Sequence, residues 1–249
     1  MSFLVDRLTF EPLERIEFGF VLLPDDDTLD QLYKMSQYTY HLLQDIETHA
    51  IPVEWGSYVN HALRIPHLSV GHYGVLACEL PALKEIVQEV AGKAPIIVQK
   101  MQSSLSVQDD YIFFDSMECF SGVNHHIRDV YIALRVFYMD RIHTKFQKAH
   151  VLSAKKYFAN DPKELVLINE CFQHWGTPEY DRMRPHFTMH YHPPFVVEKM
   201  KQRLTWDAEL TKQLASLSII TLTRLGIVQV DTFGNPVENG LLCAYPLMG

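Results

Sequence analysis

The chain has 249 residues, 47% hydrophobic and 21% charged, which excludes a disordered or low-complexity protein and leaves ample length for a large core. Its 22 Lys and Arg against 30 Asp and Glu give a net charge of -8, which argues against a broad duplex-DNA surface, since that needs a basic field. Cys78, Cys119, Cys171 and Cys243 form no CxxC pair, the N-terminus is interrupted by charge, and the apolar runs are too broken to span a bilayer. The expectation is a cytoplasmic protein without a leader or membrane span, its thiols reduced and buried as spectators.

Along the chain, residues 1–14 read as a lead-in. The run IEFGFVLL at 16–23 is a buried strand, closed by the turn residues Pro24, Asp25, Asp26 and Asp27. Asp27 or Thr28 can cap a helix over 28–48, where Leu29, Leu32, Tyr33, Ser36, Tyr40 and Leu43 recur at helical spacing. A strand is predicted over 64–75, then a short helix through Leu83, Ile86, Val87 and Val90 that stops at Gly92. The segment 95–115 reads as a hairpin. A long helix is predicted over 123–148, with His125 and His126 at its start, and another from Pro162 to Trp175. A strand over 184–192, a helix over 196–217, and strands over 217–230 and 240–245 complete the pattern. With no GxGxxG or Walker pattern, this is an α+β protein with largely antiparallel sheets, expected as one domain over 1–249.

Two segments repeat: Pro66-His67-Leu68-Ser69-Val70 and Pro185-His186-Phe187-Thr188-Met189. Each is proline, histidine, apolar, hydroxyl, apolar, with Arg64 or Arg184 just upstream. On a strand, positions i and i+2 share a face. His67 with Ser69, and His186 with Thr188, should therefore face one way while Leu68, Val70, Phe187 and Met189 face the core. Strict alternation also puts Tyr73 on the face of His67 and His72 off it. Two imidazoles across a cleft supply a base and an acid near neutral pH, and a hydroxyl two residues on can hold a phosphate oxygen. No metal is needed for that chemistry. The spacing of His186, His190 and His192 would also suit metal ligands, but no cysteine and only Asp181 stands nearby to complete the set, so the expectation is that no metal or cofactor is used.

The two H-x-[ST]-x copies, in matching context, resemble the two-histidine phosphoesterase superfamily, which includes LigT-like RNA 2′,3′-cyclic phosphodiesterases and 2′-5′ RNA ligases. The resemblance spans about residues 15–245. It implies a bilobed fold of two largely antiparallel sheets flanked by helices, with pseudo-two-fold symmetry and both histidines in the cleft. It implies His67 and His186 as the catalytic pair, and Ser69 and Thr188 as phosphate ligands. Tyr73 and Gly74 stand where the family often has an aromatic and a glycine. Tyr191 stands where relatives often carry an arginine, so that a ring replaces a guanidinium. Tyr73, Arg184 and Tyr191 are the further candidate substrate contacts. Segment 140–183 is longer than the minimal family has and reads as an insertion.

The implied activity is hydrolysis of a cyclic phosphate or of an RNA-end phosphodiester. The alternatives are 2′-5′ RNA ligation and a nucleotide- or RNA-binding module without turnover. The acidic balance favours a small cyclic nucleotide or sugar phosphate, or an RNA 3′ end, over duplex DNA, and no membrane partner is expected. Which histidine is base and which is acid stays open at this level.

Overall fold

The computed structural model describes residues 3–5, 12–48, 66–107, 111–117, 125–143, 186–191, 197–230 and 236–248. The predicted helix over 162–175 and nearly all of the expected insertion at 140–183 lie outside them, as do Arg64, Arg184, Cys119 and Cys171. The strands are β1 (Phe3–Val5), β2 (Pro12–Pro24), β3 (Leu68–Leu76), β4 (Ile97–Val107), β5 (Tyr111–Ser116), β6 (His186–Tyr191), β7 (Ile219–Val230) and β8 (Pro236–Pro246). The helices are α1 (Asp26–Thr48), α2 (Leu80–Ala91), α3 (His125–Tyr138), α4 (Val197–Thr205) and α5 (Ala208–Ser216). The fold is thus α+β, as the sequence indicates.

The expected two sheets are one. All strand pairs are antiparallel, in the order β1-β2-β3-β6-β5-β4-β7-β8, and an added β2–β7 pairing closes the six central strands into a barrel. Closure is possible because β7 is long. Residues 219–222 pair with β4, while residues 224–230 along the same strand pair with β8. The lead-in also carries β1, whose Phe3 to Val5 pair with Glu14 to Pro12.

Helices about 10 Å across cannot enter a six-stranded barrel, so they coat its outside. Leu32, Met35 and Leu43 of α1, Leu83, Ile86 and Val87 of α2, and Ile127, Val130 and Leu134 of α3 bury one stripe each against the sheet. From the strands, Phe18, Phe20, Leu68, Val75, Ile112, Phe114, Phe187, Leu225 and Ile227 meet them. A smaller cluster of Val21, Leu23, Val228 and Val230 lies on the opposite face, which carries no helix among the described residues.

Helix boundaries follow their caps. α1 starts two residues before the predicted position because Asp25 is the cap, its Oδ1 accepting from the Thr28 amide at 2.8 Å. The helix predicted over 196–217 is two helices. It breaks at Trp206 and Asp207, where the Asp207 carboxylate accepts from the Leu210 amide at 2.7 Å and starts α5. Of the helix predicted over 123–148, α3 covers His125–Tyr138 and widens into a π-type turn over Met139–His143. Among the described residues no helix is long and apolar enough to cross a membrane. Cys78 is exposed and Cys243 half-buried, so these two thiols are not the fully buried spectators expected.

Candidate active site

The two motif segments lie on adjacent strands. β3 and β6 run antiparallel with Leu68 opposite Phe187, the second residue of each motif. Continuing that register by one residue each way sets His67 opposite Thr188 and Ser69 opposite His186. Leu68, Val70, Phe187 and Met189 point to the helix-side core, so the two histidines and two hydroxyls share the helix-free face. Directly opposed Cβ atoms in such a pair are about 4.5–5.5 Å apart and diagonal ones about 7–8 Å. His67 and His186 stand on the diagonal of that pairing. His67 is 7% exposed, while Ser69, His186 and Thr188 are half-buried.

Both motif strands carry a bulge at the same motif position. On β3 the pairing jumps from Val21–Ser69 to Phe20–Gly71, leaving Val70 extra. On β6 it jumps from Phe113–Thr188 to Ile112–His190, leaving Met189 extra. A bulge places two successive residues against one on the partner strand and resets the side-chain alternation beyond it. The Met189 carbonyl accepts from Ser36 Oγ of α1 at 2.7 Å, so a helix satisfies the group at the bulge and ties it to the core.

The bulge at Val70 reverses two expectations of strict alternation. Tyr73 does not share the face of His67. It is 2% exposed in the helix-side core, where its ring lies 4.6 Å from that of Tyr138, 5.3 Å from Phe20 and 6.0 Å from Phe18. Burial drives its phenol far above the ordinary tyrosine range, and it is no substrate contact. Tyr138 Oη also donates to the Gly74 carbonyl at 2.7 Å, locking this part of β3 to α3.

His72 takes the opposite course. It stands across from Gly19 on β2, on the helix-free face with His67 and Ser69. A Cβ on Gly19 would come within 2.9 Å of the His72 ring, so the glycine makes the room that the imidazole occupies. His72 is exposed to solvent by surface area, although protein atoms crowd around its ring. Burial, and then the like charge of His186, hold its pKa below the usual histidine value. His72 is thus the residue that alternation missed. The signal was Gly71, since a glycine inside a strand pattern marks a bulge.

β5 completes the wall beside β6. Ile112 and Phe114 face the core, so Phe113 and Asp115 face the site. The Phe113 ring lies 5.1 Å from the His186 ring, and Asp115 is the direct cross-strand partner of His186. Asp115 is fully buried, and its Oδ2 accepts from Ser106 Oγ on β4 at 2.8 Å. Among the described residues no three of His, Cys, Asp and Glu are grouped as metal ligands. The side chains of His190 and Tyr191, and all of His192 and Arg184, lie outside the described residues; the Tyr191 backbone pairs with Tyr111.

No protein-family model matches the chain, and no curated protein matches it. Solved structures resemble it over nearly its whole length. E. coli LigT in its apo form is 10% identical over 95% of this chain and 99% of its own, with a TM-score of 0.46. TT0787 of Thermus thermophilus is 10% identical over 93% of this chain and 98% of its own, TM-score 0.45. Usb1 of Kluyveromyces marxianus is 11% identical over 93% of this chain and 97% of its own, TM-score 0.37.

Proposed function

We propose that the protein is a metal-independent phosphodiesterase that opens a cyclic phosphate, or hydrolyses a phosphodiester at an RNA end, by paired-histidine acid–base catalysis. The observation that carries this reading is the β3–β6 pairing through Leu68 and Phe187, which sets His67, Ser69, His186 and Thr188 on one face of two neighbouring strands. One imidazole takes a proton from water as the water oxygen attacks phosphorus. The P–O ester bond breaks with its electron pair on the leaving oxygen, which takes a proton from the other, protonated imidazole. The products are a phosphomonoester and a free hydroxyl, and the two histidines exchange protons with solvent before the next turnover.

The Ser69 and Thr188 hydroxyls donate to the non-bridging oxygens, where negative charge gathers in the transition state. Because the groups project from paired strands, their spacing is fixed by the ladder rather than by a loop. Arg184 is proposed as a further phosphate contact and the Tyr191 ring as a stacking surface for a base. The net charge of -8 favours a small cyclic nucleotide or sugar phosphate, or an RNA terminus, over a long nucleic acid.

The test is a turnover screen of 2′,3′-cyclic nucleotides, cyclic sugar phosphates and oligonucleotides ending in a cyclic phosphate, with and without EDTA. The expected result is a phosphomonoester product formed at the same rate in both conditions. Loss of turnover with EDTA, restored by zinc or manganese, would overturn the metal-independent mechanism. Binding without turnover would overturn the enzyme.

A further inference from the structure

His67 and His186 are not equivalent in their surroundings, and the difference lies one strand away from each. Asp115 on β5 is the cross-strand partner of His186. The corresponding position beside His67, one step beyond the Leu22–Leu68 pair on β2, is Leu23. One motif histidine thus has a carboxylate at its shoulder and the other an isobutyl group that belongs to the small apolar cluster.

We propose that Asp115 is a positioning residue for His186: its buried carboxylate orients the imidazole and favours its protonated form, making His186 the proton donor to the leaving oxygen and His67 the base. This rests on the phosphodiesterase reading above for the roles, while the Asp115–His186 coupling stands on geometry alone. Directly opposed side chains on one face of an antiparallel pair have Cβ atoms about 4.5–5.5 Å apart, within reach of a carboxylate and an imidazole. Phe113, on the same face of β5, packs beside the His186 ring, with centroids 5.1 Å apart. Asp115 is 0% exposed, and Ser106 Oγ holds its Oδ2 at 2.8 Å, so the carboxylate has one orientation. A buried carboxylate is costly unless hydrogen-bonded or matched by positive charge, and an imidazolium beside it meets that need.

The other groups facing His186 are accounted for among the described residues. From β3 come His72, whose charge opposes that of His186, and His67 on the diagonal. From β6 itself comes Thr188. Helix α1 packs on the far face, where Ser36 meets the Met189 carbonyl. Asp115 is the one anionic side chain in that set, and it stands directly across the ladder from His186 on β5, as Ser69 does on β3. A merely structural Asp115 would fasten β5 to β4 through Ser106 and leave the titration of His186 untouched.

The experiment is Asp115→Asn in the full chain, which retains the acceptor for Ser106 and removes the charge. NMR titration of the imidazole signals, assigned with His67→Ala and His186→Ala, reads each histidine directly. The expected result is a His186 midpoint lower by on the order of one pH unit in Asp115→Asn, the size of a single close-charge effect. In parallel, the alkaline limb of the kcat profile on a 2′,3′-cyclic nucleotide moves down by the same interval, with kcat falling more than KM rises. An unchanged His186 midpoint overturns the proposal. If Asp115→Asn fails to fold, the wild-type spectrum decides: His186 titrating above His67 supports the coupling, and the reverse order overturns it. If the wild type turns over nothing in the screen, the phosphodiesterase reading fails, and the titration still judges Asp115 by itself.

Discussion

At the scale of single residues, a hydroxyl, a bulge and a glycine decide what the site contains. Ser69 and Thr188 differ by a methyl but offer the same donor, and under the proposed mechanism replacing either with an apolar residue leaves a phosphate oxygen unpaired. Ser69→Ala and Thr188→Val should each reduce kcat/KM by about 1–3 kcal/mol of transition-state stabilisation, measured by steady-state kinetics on the substrate found in the screen. Tyr73→Phe should leave turnover unchanged, because that ring sits among Phe18, Phe20 and Tyr138 on the helix side. The motif residues themselves were legible in the sequence, since proline, histidine, apolar, hydroxyl, apolar occurs twice. The faces of His72 and Tyr73 were not, because a single extra residue at Val70 inverts every position after it. Gly71 carried that information, but a glycine in a strand marks a bulge only when the partner's register is known.

At the scale of elements, the site is held by pairs of strands pinned to helices. Gly19 on β2 and His72 on β3 are cross-strand partners, and a methyl on Gly19 would press on the imidazole at 2.9 Å. Gly19→Ala should displace the ring and raise KM. His72→Ala in the Gly19→Ala background should then add little further loss, a coupling that a double-mutant cycle reads. Asp207 ends one helix's neighbourhood and starts another, capping α5 while also accepting from Tyr38 Oη at 3.1 Å. Asp207→Ala should lower stability by about 1–2 kcal/mol in a denaturant titration, with activity per folded molecule retained. Apolar periodicity marked α1, α2, the hairpin of β4 and β5, and β7 in the sequence. It did not mark the break at Trp206, since the apolar stripe of α4 continues in phase with that of α5 and only the cap at Asp207 separates them.

At the scale of the whole molecule, barrel closure joins six strands into one wall, and His67 just before β3, His72 on β3 and His186 on β6 lie on one face of it. That closure could not be read from the chain, because β2 and β7 meet through residues some 200 positions apart, such as Phe18 and Gln229. It has a consequence for pH. Desolvation holds both the buried His143 and the more exposed His72 below the usual histidine pKa. The unfolded chain therefore takes up more protons than the folded one as pH falls, and the contribution of these neutral imidazoles is present above the unfolded value of about 6.5 and lost as pH drops below it. The melting temperature should fall between about pH 7 and pH 5, and His143→Phe should flatten that slope if the ring accommodates the site. The measurement that tests the central claim most directly is kcat/KM of His67→Ala and His186→Ala beside the wild type on a confirmed cyclic phosphodiester. Each variant should remain folded and lose about 10²–10⁴-fold, with the double variant losing less than the product of the two, as groups that act as a unit do. Full activity in either folded single variant would contradict the paired-histidine mechanism.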